Sequence, residues 1–155
     1  MKKIICILSV LSAPFLFSQK KAAPKAEPKK ENLNYDTKAA LQLSKEELAL
    51  YNGNFLKFIS ALKASDRKGM DALLSEKARK MVTEVVYQKL AADIDTNKTF
   101  SIIKSGEKPF IDGSSYPMIQ YKYADDQSAE PVKIITAVFE KDGKIMGIKP
   151  YKVTK

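Results

Sequence analysis

Asp112 and Tyr116 are the two residues whose types and spacing come closest to acid–base chemistry. The carboxylate of Asp112 lies in the segment FIDGSSYP, four residues before the phenol of Tyr116. Held together in a cavity, the two groups could act as an acid or base on a bound molecule. The competing interpretation is that Asp-Gly-Ser-Ser is ordinary turn sequence. The chain has no histidine, so the usual general base with a near-neutral pKa is absent.

The chain shows the beginning of one metal-binding pattern and lacks the rest of it. Asp93, Asp95 and Asn97 are spaced like the first ligands of a calcium loop. The sixth position should be glycine and is Lys98, and the twelfth should be glutamate and is Lys104. The one cysteine lies in the N-terminal apolar stretch, so no thiolate site can form elsewhere. The sequence therefore predicts neither a metal nor a cofactor.

Five tyrosines are candidates for ligand contact, because a phenol can stack on an apolar ligand while its hydroxyl orients a polar group. They are Tyr87, Tyr116, Tyr121, Tyr123 and Tyr151. The competing interpretation is that tyrosine favours half-buried strand positions for packing alone.

Helical periodicity runs from about Ser44 to Leu90. Ser44 and Glu47 have the spacing of a capping box, and an apolar face with residues three and four apart follows. That face contains Leu48, Tyr51, Phe55, Phe58, Ile59 and Leu62. The sequence Asn52-Gly53-Asn54 is expected to weaken, kink or split this helix. A short helix should begin after Ser65 or Asp66 and end near Leu74. A longer helix capped by Ser75 should bury a stripe of Ala78, Val82, Val85, Val86 and Leu90.

Four strands are predicted after Asn97, in TFSIIKS, SSYPMIQYKYAD, VKIITAVFEK and KIMGIKPY. Asp142-Gly143 fits a two-residue type I′ turn between the last two. In that register Phe139 faces Met146 on one side of the sheet, while Val138 and Ile145 point to the other side. We therefore predict an α+β fold, with N-terminal helices packed on a curved four-stranded antiparallel sheet. The side bearing Phe139 and Met146 should cover the helices.

The N-terminus reads as a secretory signal peptide over residues 1–18. Two lysines precede an apolar stretch of h-region length, and lysine-rich sequence follows abruptly. Cys6 comes too early in the stretch for a lipoprotein signal. We therefore expect a secreted or periplasmic protein, and the alternative is an uncleaved membrane anchor.

Residues 19–33 are expected to form a disordered tether, and residues 34–155 a single domain. The tether is rich in lysine, alanine and proline and has almost no apolar bulk to bury. Its lysines from Lys20 to Lys30 could contact anionic envelope surfaces, although a plain linker is the favoured interpretation. From residue 33 onward, 20 basic and 16 acidic residues are mixed, which does not favour nucleic acid as a partner.

The order and pattern of these elements resemble the nuclear transport factor 2-like, cystatin-like superfamily. The resemblance covers about residues 44–152 and rests on FISALKASD, MDALLSEKARKMV, YQKL and VFEKDGKIMGI. It is closest to small secreted bacterial members of unknown function. The resemblance implies a curved sheet that wraps a helix into a cone, whose open end often holds a small apolar ligand. Enzymatic members place aspartate and histidine inside the cone, and this chain has no histidine.

Three functions stay open at this point. The leading one is an exported, non-catalytic binding or accessory domain, which holds a small apolar ligand between helices and sheet or contacts an envelope protein. The second is a small-molecule dehydratase or isomerase that uses Asp112 with the tyrosines. The third is an interaction module that dimerises through the sheet face bearing Val138 and Ile145.

Overall fold

A computed structural model describes residues 42–153 of the protein, where four helices precede a four-stranded antiparallel sheet. The helices are α1 (Lys45–Lys63), α2 (Arg67–Leu73), α3 (Glu76–Met81) and α4 (Glu84–Asp93). The strands are β1 (Phe100–Pro109), β2 (Ser115–Tyr123), β3 (Lys133–Phe139) and β4 (Ile145–Lys152). The predicted α+β fold is confirmed. The predicted signal peptide (1–18) and tether (19–33) lie outside the described residues.

Helix α1 begins where the capping box predicted. The Ser44 hydroxyl accepts a hydrogen bond from the Glu47 amide at 3.1 Å, and the Glu47 carboxylate accepts one from the Ser44 amide at 2.9 Å. Asn52-Gly53-Asn54 does not split the helix, which runs unbroken to Lys63. The Asn54 side chain instead donates to the backbone carbonyl of Gly143 at 3.0 Å, so it ties the middle of α1 to the last hairpin.

The long helix predicted after Ser75 is wrong, because it is divided at Val82 and Thr83 into α3 and α4. The predicted stripe is correct in part: Ala78 is buried, and Val82 and Leu90 pack against the core. Val85 and Val86 are 71% and 39% exposed, and Tyr87 takes the buried position on α4. Arg67 lies against this break, with its guanidinium donating to Glu84 at 3.0 Å and to Asp71 at 3.1 Å. On α4, Tyr87 and Leu90 therefore pack against the core in place of Val85 and Val86.

The sheet is a simple meander, with strand order β1-β2-β3-β4. Each strand alternates between two faces, which we call the inner face, turned toward the helices, and the outer face. Ile119, Tyr121, Ile135, Ala137 and Phe139 are fully buried on the inner face. Strand β1 is longer than predicted and continues beyond Ser105 to Pro109, which adds Gly106 and Lys108 to the sheet.

The last hairpin differs from the predicted type I′ turn. Within residues 42–153 Ser65 is the only non-glycine residue with positive φ, so Asp142 lacks the positive φ that a type I′ turn requires. The Glu140 amide donates to the Lys144 carbonyl at 2.7 Å and the Gly143 amide to the Glu140 carbonyl at 2.9 Å, around Gly143 with φ of 90°. This is a three-residue loop, and a register shift places Ile145 opposite Phe139.

The register shift reverses two predicted orientations. Ile145 is fully buried beside Phe139 on the inner face, although it was predicted on the other side. Met146 is only half-buried and faces a cavity on the outer face, although it was predicted to cover the helices. Phe139 itself lies where predicted, stacked on Tyr51 of α1 with ring centroids 5.1 Å apart. The inner side of the hairpin thus packs on α1 through Phe139 and Ile145.

Candidate binding trough on the outer sheet face

The outer face of the sheet carries an open cavity of about 890 Å³, which we call the outer trough. Its floor is formed by four side chains of the two central strands, Met118, Gln120, Thr136 and Val138. The end of β1 and the residue after it, residues 104–110, form one side, and β4 forms the other through residues 146–149 and Tyr151. The volume lies within the range of small-molecule sites, roughly 300–1,000 Å³.

One row of residues across the four strands makes the apolar part of the floor. Met118 pairs with Gly106 on one side and with Val138 on the other, and Val138 pairs with Gly147. The row therefore has two apolar side chains in its centre and a glycine at each end. A glycine within a strand leaves out a side chain and often marks a place where another group comes close to the backbone. At Gly147 an added Cβ would meet nothing within 4 Å, so the trough is open at the β4 edge, whereas Gly106 at the β1 edge is buried.

The neighbouring row is polar, and a lysine lies at each of its ends. Lys104 pairs with Gln120, Gln120 with Thr136, and Thr136 with Lys149. The Gln120 amide donates to the Thr136 hydroxyl at 3.2 Å and to the Tyr151 hydroxyl at 3.3 Å. The two rows are two residues apart along the strands, which is about 7 Å. Apolar and polar contact surfaces are thus side by side within one trough.

The sides of the trough add more apolar surface and more positive charge. Met146 reaches it because of the register shift in β4, and Phe110 lies at the other end, with its ring against Tyr116 at 5.3 Å between centroids. The Lys108 ammonium lies 5.4 Å from the Phe110 ring centroid. Methionine is a flexible side chain that adapts to ligands of varied shape.

The electrostatic balance of the trough is positive. Lys104, Lys108 and Lys149 line it, and among the described residues none of the three takes part in an ion pair. The only carboxylate in the lining is that of Glu107. Three cations against one anion give the trough a net attraction for negative charge.

Asp112 does not lie in this trough. It is exposed in the turn between β1 and β2, where its carboxylate accepts hydrogen bonds from the Ser114 amide at 3.0 Å and the Ser114 hydroxyl at 2.5 Å. The hydroxyl and then the amide hold the pKa of Asp112 below its usual range. A surface carboxylate held in its ionised form by its own turn lacks the buried, raised-pKa setting of a general acid.

The five candidate tyrosines lie in different parts of the structure. Tyr151 lines the outer trough, and Tyr116 contacts it only through Phe110. Tyr123 lies at the edge of the core, where its hydroxyl accepts a hydrogen bond from the Asp95 amide at 2.8 Å. Tyr87 and Tyr121 are buried in the core between helices and sheet. The five do not converge on one ligand.

Aromatic rings occupy the space between helices and sheet where a ligand was predicted. The ring of Tyr121 stacks on Phe55 of α1 with centroids 4.0 Å apart, and Phe100 meets Phe55 edge-on at 5.4 Å. The Tyr121 hydroxyl is buried, and no hydrogen-bond partner for it is found among the described residues. Burial raises the pKa of this phenol.

The two aspartates of the incomplete calcium pattern lie at the end of α4: Asp93 is its last residue, and Asp95 belongs to the connection to β1. The Asp95 carboxylate accepts a hydrogen bond from the Asn97 amide at 3.1 Å, and Lys98 pairs with Asp125 at 2.7 Å. Within residues 42–153, no three acidic side chains come together in a way that could hold a metal ion. In the same part of the chain, no helix is long and apolar enough to cross a membrane.

Comparisons of the chain with protein-family models, with curated proteins and with solved structures found no match. The resemblance to the nuclear transport factor 2-like, cystatin-like superfamily therefore stays a prediction.

Apart from Tyr151, sequence reasoning missed the residues that line the trough, although one signal for them was present. A glycine within a strand often marks a gap or a bend, and Gly147, opposite Val138, forms one end of the apolar row. Gly106 was missed because β1 was predicted to end at Ser105. The two lysines of the polar row come together only through strand pairing, which no local sequence pattern reveals.

Proposed function

We propose that the protein is an exported, non-catalytic binding domain that holds a small, largely apolar molecule in the outer trough. The observation that carries the proposal is the row Gly106-Met118-Val138-Gly147. In this row the apolar side chains of Met118 and Val138 line the trough, and the glycine at each end has no side chain. Export rests on the signal-peptide pattern of residues 1–18. The predicted resemblance to the cystatin-like superfamily is compatible with ligand binding but names no ligand.

Two features favour the outer trough over the core as the ligand site. Phe55, Tyr121 and Phe139 already fill the space between α1 and the sheet with aromatic contacts. The trough is open and has the volume of a small-molecule site. The dehydratase or isomerase alternative is less favoured, because the Asp112 carboxylate on which it depends is exposed and accepts a hydrogen bond from the Ser114 hydroxyl.

The proposal can be tested by mapping an apolar probe onto the full-length chain by NMR. We expect 1-decanol, kept below its solubility limit, to shift the amide signals of Met118, Val138 and Met146. Val138→Lys should abolish these shifts, because it places a charge in the apolar row. Val85→Lys is the matched control, since Val85 is an exposed valine on α4, and it should leave the shifts unchanged.

Two results would contradict this assignment. Shifts centred on Phe55 and Tyr121 would move the ligand to the core, as the sequence predicted. No shift of any residue by alkyl probes, neutral or charged, would leave the trough without a binding role.

A further inference from the structure

We propose that the ligand of the outer trough is an amphipathic anion, an alkyl chain that ends in a carboxylate, bound as a free molecule. This inference rests on the proposed function and specifies its ligand. The alkyl chain would lie on Met118 and Val138, and the carboxylate would lie over the polar row between Lys104 and Lys149.

The first argument is the pairing of the two rows. The apolar row has no charged residue, while the row beside it begins and ends with a lysine. A molecule that covers both rows must therefore be apolar along one part and carry hydrogen-bond acceptors or negative charge along the other. The Thr136 and Tyr151 hydroxyls accept hydrogen bonds from the Gln120 amide and keep their own hydrogens, so they supply neutral donors beside the two cations.

The second argument is that the ammonium groups of Lys104 and Lys149 are available to bind an anion. Neither Lys104 nor Lys149 takes part in an ion pair within residues 42–153, whereas Lys98 and Lys80 each do. The two backbones are three strand spacings apart, about 14 Å, so two long side chains can approach one small anion from opposite edges. Lys108 adds a third positive charge, and Glu107 is the only opposing one in the lining.

The third argument is size. The cavity volume of about 890 Å³ lies within the range of small-molecule sites, roughly 300–1,000 Å³. One alkyl carboxylate therefore fits in the trough, and the site does not require a membrane surface or a protein partner to be occupied.

The test compares three probes with the same alkyl chain and different head groups on the full-length chain. Decanoate, 1-decanol and decyltrimethylammonium are titrated below their aggregation limits, by calorimetry and by NMR mapping. We expect decanoate to bind at least ten-fold more tightly than decanol and the ammonium probe to bind more weakly than both. The preference for decanoate should shrink as salt rises, because partly exposed charges are screened.

Charge-removing variants locate the head group. Lys104→Gln and Lys149→Gln should each reduce the affinity for decanoate about three- to ten-fold and leave the affinity for decanol unchanged. Lys57→Gln, an exposed lysine on α1, is the matched control and should change neither. Vesicles of anionic phospholipid should not bind more strongly to wild type than to the Lys104→Gln, Lys149→Gln double variant.

The outcomes separate this inference from the proposed function. Equal binding of decanol and decanoate at the trough would overturn the anionic ligand and leave the trough as an apolar site. Absence of all three probes from the trough would overturn both proposals. Vesicle binding that depends on Lys104 and Lys149, without binding of monomeric decanoate, would overturn the free amphiphile in favour of a lipid surface.

Discussion

At the scale of single residues, Tyr87 and Tyr121 place the same phenol in two different surroundings. The Tyr87 hydroxyl donates to the Asp71 carboxylate at 2.7 Å, and Arg67 lies 4.4 Å above its ring. Burial, and then this bond to Asp71, raise the pKa of Tyr87. The Tyr121 hydroxyl is buried with no partner among the described residues. One hydroxyl stabilises the fold, and the other loses its hydration without compensation.

Replacing each tyrosine by phenylalanine should therefore give opposite results. Tyr87→Phe should lower the free energy of unfolding by about 1 kcal/mol, because the Asp71 carboxylate loses a donor. Tyr121→Phe should raise it by about 1 kcal/mol, because an unsatisfied buried hydroxyl is removed. Urea unfolding followed by circular dichroism measures both values, and each variant is the control for the other. A loss of stability in Tyr121→Phe would show that its hydroxyl has a partner.

Asp112 gives a prediction about pH. Because the Ser114 hydroxyl and amide lower its pKa in the folded state, any stability it contributes is present above the unfolded pKa and is lost as the pH falls through the folded value. NMR titration of the carboxyl carbon should give a midpoint below that of an ordinary aspartate. Ser114→Ala should move the midpoint up. A midpoint above the ordinary range would restore Asp112 as a candidate acid.

At the scale of elements, the β3–β4 hairpin determines which side chains reach the trough. The loop at Gly143 and the register shift after Val138 turn Ile145 inward and Met146 outward. Three contacts hold the loop in place: Asn54 of α1 donates to the Gly143 carbonyl, the Ser75 amide donates to the Ile145 carbonyl at 2.9 Å, and Lys144 donates to the Ala72 carbonyl. The helices thus fix the hairpin from the inner side.

Two glycines of this hairpin form a matched pair for mutation. Gly143 has φ of 90°, and an added Cβ would lie 2.8 Å from Asn54 Nδ2 and 3.1 Å from Leu50 Cγ. Gly143→Ala should therefore lower the free energy of unfolding by at least about 1–2 kcal/mol. An added Cβ at Gly147 meets nothing within 4 Å. Gly147→Ala should leave stability equal or raise it by about 0.5 kcal/mol.

Thermal unfolding of the two variants beside wild type measures this difference. Equal melting temperatures for Gly143→Ala and wild type would contradict the strained loop. They would also remove the reason for the outward turn of Met146.

At the scale of the whole molecule, the two faces of the sheet have different roles. The inner face is covered by α1 and buries six side chains of the two central strands completely, with Pro117 among them. The outer face keeps Met118 and Val138 within an open trough. A small ligand would cover these residues without a second protein, whereas the dimer hypothesis requires another copy to cover them.

Light scattering after size exclusion distinguishes these two cases. We expect the full-length chain to be a monomer even at high concentration, because the free trough is the ligand site in our proposal. Val138→Lys should leave the mass unchanged. A doubled mass that returns to the monomer value in Val138→Lys would instead support dimerisation through the outer face.

The sequence by itself determined the features that depend on neighbouring residues. The capping box at Ser44, the α+β order and the alternation that buries Ile119 and Tyr121 could all be read locally, because caps and strand periods are set by residues a few positions apart. The division between α3 and α4 at Val82 and Thr83 was missed, and the Arg67–Glu84 ion pair beside it joins residues too far apart in sequence for a local pattern to show.

Only the tertiary structure decided where the trough lies and what lines it. Its two rows join residues from β1 to β4, and a one-residue shift at the hairpin exchanged Ile145 and Met146 between the faces. Because successive strand residues point to opposite faces, such a shift changes the face of each residue involved. The shift follows from the loop that α1 holds at Gly143, and the local sequence Asp142-Gly143 fitted a shorter turn equally well.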